Sequence, residues 1–104
     1  MRAFLTAQAQ RDITAVKAYV AKDNLSASER VAAKLYDEIS RLEKSPNLGL
    51  ALSGKFNIET DLRMLIVSPN LILYKIIEDK IIVTRVIDGR RDYLSVLGLS
   101  KNDF

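Results

Sequence analysis

Two residue types that supply much of the metal and acid–base chemistry of proteins are missing from this 104-residue chain, which has no cysteine and no histidine. Without cysteine there is neither a disulfide framework nor a thiolate zinc site. Without histidine the chain lacks the commonest general acid–base group and every mechanism that depends on a Ser-His or Cys-His pair. We therefore expect no metal site and no cofactor, and the sequence assigns no catalytic residue.

Long apolar runs are also missing. No apolar segment approaches the roughly 18 residues that a membrane span requires. The first ten residues lack the apolar stretch of a signal peptide. The lack of cysteine fits a reducing compartment. Together these features predict a cytoplasmic protein that does not contact a membrane.

The overall composition is that of an ordinary globular protein, with 48% hydrophobic and 28% charged residues. A chain of this length can build one hydrophobic core, so we expect a single domain over residues 1–104. The net charge of +3 is mildly basic. Such a charge suits an acidic protein partner or nucleic acid and does not distinguish between them.

The first half of the chain predicts one short strand followed by two helices. Residues 2–5 form an apolar run typical of a strand. A helix should begin near Thr6 or Ala7 and end near Asp23-Asn24, because apolar residues recur at helical spacing at Ala9, Ile13, Val16 and Val20. A second helix should begin at Ser26, which forms a capping box with Glu29, and should end at Ser45-Pro46. Its apolar stripe consists of Val31, Leu35, Ile39 and Leu42.

The second half predicts a long loop and three short strands. The loop covers residues 46–61, and the strands cover residues 62–67, 71–78 and 81–88. They are separated by Ser68-Pro69-Asn70 and by a tight turn at Asp79-Lys80. Residues 91–99 suit a short terminal helix. The resulting fold class is α+β: a helical hairpin packed on a small, mostly antiparallel sheet in the order β-α-α-β-β-β, with a short C-terminal helix.

Four arginines form the strongest candidate for a functional group: Arg63, Arg85, Arg90 and Arg91. Charge within a strand must be solvated or paired, which indicates a partly open sheet face that binds anions or an acidic partner. Guanidinium groups present a planar fork of donors to phosphate or carboxylate. The structural alternative is that Arg85 pairs with Asp61 or Asp88, while the last two arginines are solvated.

Other candidates carry weaker signals. The side chains of Tyr74 and Tyr93 could contact a partner, although packing at the edge of the core is the more usual role. Glu59 and Asp61 precede the second strand and are candidates for a general base or plain solvated charge. Glu78 and Asp79 are interpreted as turn formers rather than as a metal-binding pair.

A further set of residues is informative together with the order of elements: Ala9, Asp12, Ile13 and Tyr19, then Leu42-x-x-x-Pro46, Arg63, Tyr74-Lys75-Ile76-Ile77, and Ile82-Val83-Thr84-Arg85-Val86-Ile87-Asp88-Gly89-Arg90-Arg91-Asp92. In these features the chain resembles the RelE/ParE toxin superfamily of bacterial type II toxin–antitoxin modules. The resemblance covers nearly the whole chain. It implies the same fold, a cognate acidic antitoxin that wraps over the toxin, and contact with operator DNA only through that antitoxin.

Within the superfamily the chain is more similar to the ParE-like branch. Leu71 stands where RelE-like members carry an arginine, and Asp88 stands where many ParE-like chains carry histidine, although Arg91 matches a basic RelE-like position. The resemblance implies a non-catalytic inhibitor whose target is DNA gyrase, contacting target or antitoxin through Arg63, Arg85, Arg90, Arg91, Tyr74 and Tyr93. Two alternatives stay open: a RelE-like mRNA endonuclease that acts on the ribosome, and an inactive member that only binds an antitoxin.

Overall fold

The computed structural model describes residues 1–56 and 59–90, which form two long helices on one face of a five-stranded sheet. The elements, in chain order, are β1 (Arg2–Leu5), α1 (Ala7–Ala21), α2 (Leu25–Lys44), β2 (Leu50–Ala51), α3 (Leu52–Phe56), β3 (Arg63–Val67), β4 (Asn70–Ile77) and β5 (Lys80–Asp88). The α+β class and the helical hairpin are confirmed. The predicted helix over residues 91–99 lies outside the described residues.

The sheet has the strand order β1-β5-β4-β3-β2. Strand β1 pairs with β5 in parallel, and every other neighbouring pair is antiparallel. The larger part of the core lies between this sheet and the two long helices. It consists of Ala9, Ile13, Leu35, Ile39, Leu42, Leu65, Val67, Ile72, Tyr74, Ile81, Val83 and Val86.

A second, smaller core lies on the opposite face of the sheet. It contains Leu52, Met64, Leu71, Leu73 and Ile87.

The predicted loop over residues 46–61 is wrong in part, since these residues include the short strand β2 and the short helix α3. Leu52 of α3 is 1% exposed and packs within this second core.

The start of α2 differs from the predicted capping box. The N-cap is Asn24, whose side chain accepts a hydrogen bond from the Ala27 amide at 2.9 Å. Ser26 is inside the first turn, and its hydroxyl accepts from Arg30 at 2.9 Å. Both Asn and Ser cap helices well, so side-chain chemistry alone did not decide between them. The helix therefore begins at Leu25, before the predicted start.

The hairpin between β4 and β5 turns one residue earlier than predicted. Ile77 pairs with Lys80, so Glu78 and Asp79 form the two-residue connection. Their φ angles are 48° and 63°. Positive φ at both central residues is the backbone of the tight turns that best match the twist of a hairpin. The two acidic residues are thus turn formers.

A β-bulge interrupts the pairing of β5 with β4. Val83 faces Tyr74 and Arg85 faces Leu73, so Thr84 is an extra residue in β5. A bulge shifts the alternation of side chains by one residue. Strict alternation along the predicted strand 81–88 would place Ile81, Val83, Arg85 and Ile87 on one face, and the bulge breaks this alternation after Val83. Val86 instead joins the helix-side core, and Ile87 joins the opposite core.

Candidate functional site

Arg85 forms an ion pair with Asp12 on α1. Arg85 Nε lies 2.8 Å from one carboxylate oxygen of Asp12, and an Nη atom lies 3.2 Å from the other. The Val86 amide donates to the same carboxylate at 2.9 Å, and the Gln8 side chain donates to it at 2.9 Å. The expected partners of Arg85, Asp61 or Asp88, are therefore wrong. Its partner is Asp12, which also accepts the hydrogen bond of the neighbouring Val86 amide.

The ion pair changes the acid–base properties of both groups. Burial of Asp12 raises its pKa, but hydrogen bonds from Arg85, the Val86 amide and Gln8 outweigh that effect, so the pKa lies below its usual 3.8. The hydrogen bond to Asp12 raises the pKa of Arg85 above its usual value. Both groups are therefore charged at neutral pH, and the pair ties α1 to β5.

Arg90 pairs with Asp88 at the end of β5. Its guanidinium donates to the two carboxylate oxygens at 3.0 and 2.8 Å, and its amide donates to one of them at 2.9 Å. The hydrogen bond to Asp88 raises the pKa of Arg90. The side chain is 66% exposed, so its charge still faces solvent and is accessible to a partner.

Arg63 and Tyr74 hold the chain segment that leads into β2. Arg63 donates to the carbonyl oxygens of Gly49 and Asn47, each at 3.2 Å. The Tyr74 hydroxyl donates to the Pro46 carbonyl at 2.7 Å and accepts from the Gly49 amide at 2.9 Å. Tyr74 is fully buried, so its side chain has no exposed surface for a partner. Its role is structural.

The same segment explains why glycine occupies position 49. A Cβ atom at Gly49 would lie 2.7 Å from a ring carbon of Tyr74 and 2.8 Å from its hydroxyl. Any larger residue at position 49 would displace the Tyr74 ring, whose hydroxyl bonds to Pro46 and Gly49. The remaining predicted site residues, Arg91 and Tyr93, lie outside the described residues.

A groove runs between α1 and the C-terminal part of β5. Its volume is about 940 Å³. Its floor is apolar and includes Val16, Val20, Val31 and Val86. Its rim carries the cations Lys22, Arg85 and Arg90 together with Asp12 and Asp88, the carboxylates that pair with the two arginines. The structure thus brings Arg85 and Arg90 to one groove and leaves Arg63 at the other edge of the sheet.

The sequence did not mark Asp12, Tyr19 or Lys22 as site residues. Tyr19 is 61% exposed beside the groove, with Lys22 Nζ 5.8 Å from its ring centroid. One signal was available, because Asp12 directly precedes Ile13 on the buried side of α1. A carboxylate at such a position requires a partner, although nothing in the sequence says which one.

Within residues 1–56 and 59–90, no group of three or more acidic side chains is arranged to hold a metal ion. No helix in the same ranges is long and apolar enough to cross a membrane. Glu59 and Asp61, the candidate bases, are both exposed.

Comparison with known proteins places this geometry in a family. The profile of the "ParE toxin of type II toxin-antitoxin system, parDE" matches residues 3–93, which is most of the chain. The chain belongs to the ParE toxin family. It is therefore a toxin of the type II toxin–antitoxin class, and membership implies an antitoxin partner.

The solved structures agree with the ParE fold. A structure described as the chromosomal ParDE TA system from P. aeruginosa is similar with a TM-score of 0.70 and 16% sequence identity. The similarity covers 85% of this chain and 95% of that one. At this identity the likeness concerns the fold. A search of curated proteins returns no match.

Proposed function

We propose that this ParE-family chain arrests bacterial growth by binding DNA gyrase, and that a cognate acidic antitoxin holds it inactive. The observation that carries the proposal is the family match over residues 3–93. The inhibitor acts by binding and has no catalytic step of its own.

The chemistry of the site supports binding over phosphodiester cleavage. An RNA-cleaving site needs acid–base groups and unoccupied cations that stabilise the developing phosphorane charge. The chain has no histidine. Arg63 is bound to backbone carbonyls and Arg85 to Asp12. These hydrogen bonds would have to break before either guanidinium could hold a phosphate.

The groove between α1 and β5 is the proposed antitoxin surface. Its apolar floor suits the apolar face of an amphipathic helix. The three cations of its rim outnumber the two carboxylates, Asp12 and Asp88, which suits acidic side chains on that helix. Arg90 is accessible at this rim because its side chain is 66% exposed. A chain with net charge +3 also attracts an acidic partner at long range.

The target is tested by inducing the chain without an antitoxin and pulse-labelling DNA and protein synthesis. The proposal expects DNA synthesis to fall first while translation continues, and expects the purified chain to inhibit supercoiling by purified gyrase. An early fall in translation with mRNA cleavage on ribosomes would overturn the gyrase target and favour the endonuclease alternative. Normal growth would favour an inactive member.

The antitoxin surface is tested separately by reversing charge at the groove rim. Lys22→Glu with Arg90→Glu should weaken antitoxin binding by about tenfold or more, because like charges across an interface are unfavourable. The control is Lys17→Glu with Lys34→Glu, which changes net charge equally on exposed helix positions outside the groove lining. Equal calorimetric affinities for both double variants would place the antitoxin elsewhere.

A further inference from the structure

The sheet face opposite the long helices is divided into a covered half and an open half. The covered half is the small core under Leu52. The open half, which we call the basic face, lies on β1, the start of β5 and the end of β4. Strand register aligns its six side chains in two rows, Arg2–Lys80–Ile77 and Phe4–Ile82–Lys75.

The direction of these six side chains follows from their neighbours. Ala3, Leu5, Ile76, Ile81 and Val83 contribute to the helix-side core. Successive side chains in a strand point to opposite faces. The residues that alternate with them therefore lie on the far face. The bulge in β5 comes after Ile82, so it does not disturb this alignment.

The basic face combines apolar surface with positive charge. Phe4 and Ile77 are each 41% exposed, and the Arg2 guanidinium lies 5.6 Å from the centroid of the Phe4 ring. Lys75 and Lys80 make no side-chain hydrogen bond or ion pair within residues 1–56 and 59–90. Neither row contains an acidic residue; the nearest carboxylates along the chain belong to the turn after Ile77.

Strand β1 is held firmly enough to present its side chains. The Glu43 carboxylate on α2 accepts a hydrogen bond from the Ala3 amide at 2.8 Å, and the amino terminus donates to the Glu43 carbonyl at 3.0 Å. These bonds occupy the outer edge of β1, so a partner meets the face of the sheet rather than this part of its edge.

The composition of the basic face favours a protein partner over single-stranded nucleic acid. Sequence-tolerant nucleic-acid surfaces stack successive bases on several aromatic rings. Here Phe4 is the one aromatic residue in the two rows, and its ring already lies beside Arg2. Two isoleucines beside three cations instead suit a protein surface that offers apolar side chains and carboxylates.

We propose that the basic face binds an acidic, partly apolar surface of the toxin's protein target. This inference rests on the proposed function, in which the chain acts by binding. The groove lies on the helix side of the sheet near the C-terminal end of β5, whereas the basic face lies on the opposite side near its N-terminal end. Target and antitoxin contacts are therefore separable by mutation.

The test reverses charge on the basic face with Lys75→Glu and Lys80→Glu in the full chain. Growth and DNA synthesis are measured after induction without antitoxin. Antitoxin affinity and the melting temperature are measured on the purified toxin–antitoxin complex. The matched control is Lys17→Glu with Lys34→Glu, which gives the same net charge. A milder pair, Lys75→Gln with Lys80→Gln, replaces the first if the reversal prevents folding.

The proposal expects the basic-face variant to allow growth while the control still arrests it, with antitoxin affinity within about twofold of wild type. Arrest by the basic-face variant would overturn it. Loss of antitoxin binding would overturn it by assigning the face to the antitoxin. Binding of a 12-nucleotide single-stranded RNA probe by the wild type but not the variant would overturn it in favour of nucleic acid.

Failure of the basic-face proposal can be distinguished from failure of the gyrase proposal. If the wild type stops translation first, the target is not gyrase, yet the comparison of growth between the two lysine pairs still decides whether the basic face is used. If DNA synthesis falls first and the basic-face variant arrests growth like the control, the result supports gyrase as the target and refutes the basic face as the surface that binds it.

Discussion

Asp12 is the residue on which the helix–sheet junction depends. Its carboxylate accepts hydrogen bonds from Arg85, the Val86 amide and Gln8. Removing one member of such a buried pair leaves the other polar groups without their partner. The contribution of Asp12 to stability therefore depends on its oxygen atoms as hydrogen-bond acceptors as much as on its negative charge.

We expect Asp12→Ala to lower the free energy of unfolding by about 2–3 kcal/mol, because the Arg85 charge and a backbone amide lose their acceptor. Arg85 is 36% exposed, which places the effect below that of a fully buried pair. Asp12→Asn should cost less, since its amide oxygen still accepts from Val86. Urea unfolding measures both, and equal losses would contradict the role of the amide acceptor.

Tyr74 acts through its hydroxyl as well as its ring. Tyr74→Phe should destabilise the chain by about 1–3 kcal/mol, because the buried Gly49 amide and the Pro46 carbonyl lose their shared partner. Tyr36, which is 47% exposed, provides the control. Tyr36→Phe should stay within about 0.5 kcal/mol in urea titration, and a similar loss in both variants would argue against the hydroxyl.

At the scale of elements, mutations at the start of helix α2 show whether Asn24 or Ser26 is the N-cap. Asn24→Ala should cost about 1 kcal/mol, because the side chain accepts from the Ala27 amide. Ser26→Ala should change the free energy of unfolding by less than about 0.5 kcal/mol, since its hydroxyl accepts from an exposed arginine and caps no backbone amide of the described residues. The opposite ranking of thermal midpoints would restore the capping box at Ser26.

The β4–β5 hairpin can be stabilised by substitutions in its turn. Glu78 and Asp79 adopt positive φ, a backbone that Asn-Gly accepts at lower cost. The double change Glu78→Asn and Asp79→Gly should therefore raise the free energy of unfolding by about 1 kcal/mol. Calorimetry measures the shift in melting temperature, and an unchanged or lower value would show that the turn carries little strain.

At the scale of the whole molecule, the Asp12–Arg85 pair makes stability depend on pH. The pKa of Asp12 is lower in the folded chain than its usual 3.8. The unfolded chain therefore binds the proton more readily, and the stabilisation by Asp12 is fully present above that usual pKa. It is lost as pH falls through the lower, folded pKa.

Comparing wild type with Asp12→Asn between pH 6 and pH 3 isolates this dependence, since the variant cannot titrate at that position. The stability difference should be constant down to about pH 5 and should shrink below about pH 4. Urea midpoints at each pH provide the measurement. A difference that grows toward low pH would mean that the folded pKa is raised instead.

Much of the architecture could be read from the chain because it depends on local patterns. Apolar stripes predicted α1 and α2, and runs of β-formers between breakers predicted β1 and the last three strands. The short elements β2 and α3 could not be predicted. A two-residue strand has no pattern of its own and exists because Arg63 and Tyr74 hold the preceding segment against β3.

The candidate site was predictable only in part. Arg85 and Arg90 stand out because charge follows or interrupts apolar strands, and the structure brings both to one groove. Their partners were not predictable, because Asp12 lies 73 residues from Arg85 in the chain. Tyr74 was a candidate contact residue from its chemistry, and only its complete burial shows that it holds the fold.

The sequence by itself determined the α+β class, the helical hairpin, the positive net charge and the absence of histidine as an acid–base group. Each of these follows from composition or local periodicity. Tertiary structure decided the rest. It placed the bulge in β5, brought Arg85 to Asp12 and separated the groove from the basic face. Such features depend on which residues meet across the sheet, and pairing between distant segments is not encoded in any local pattern.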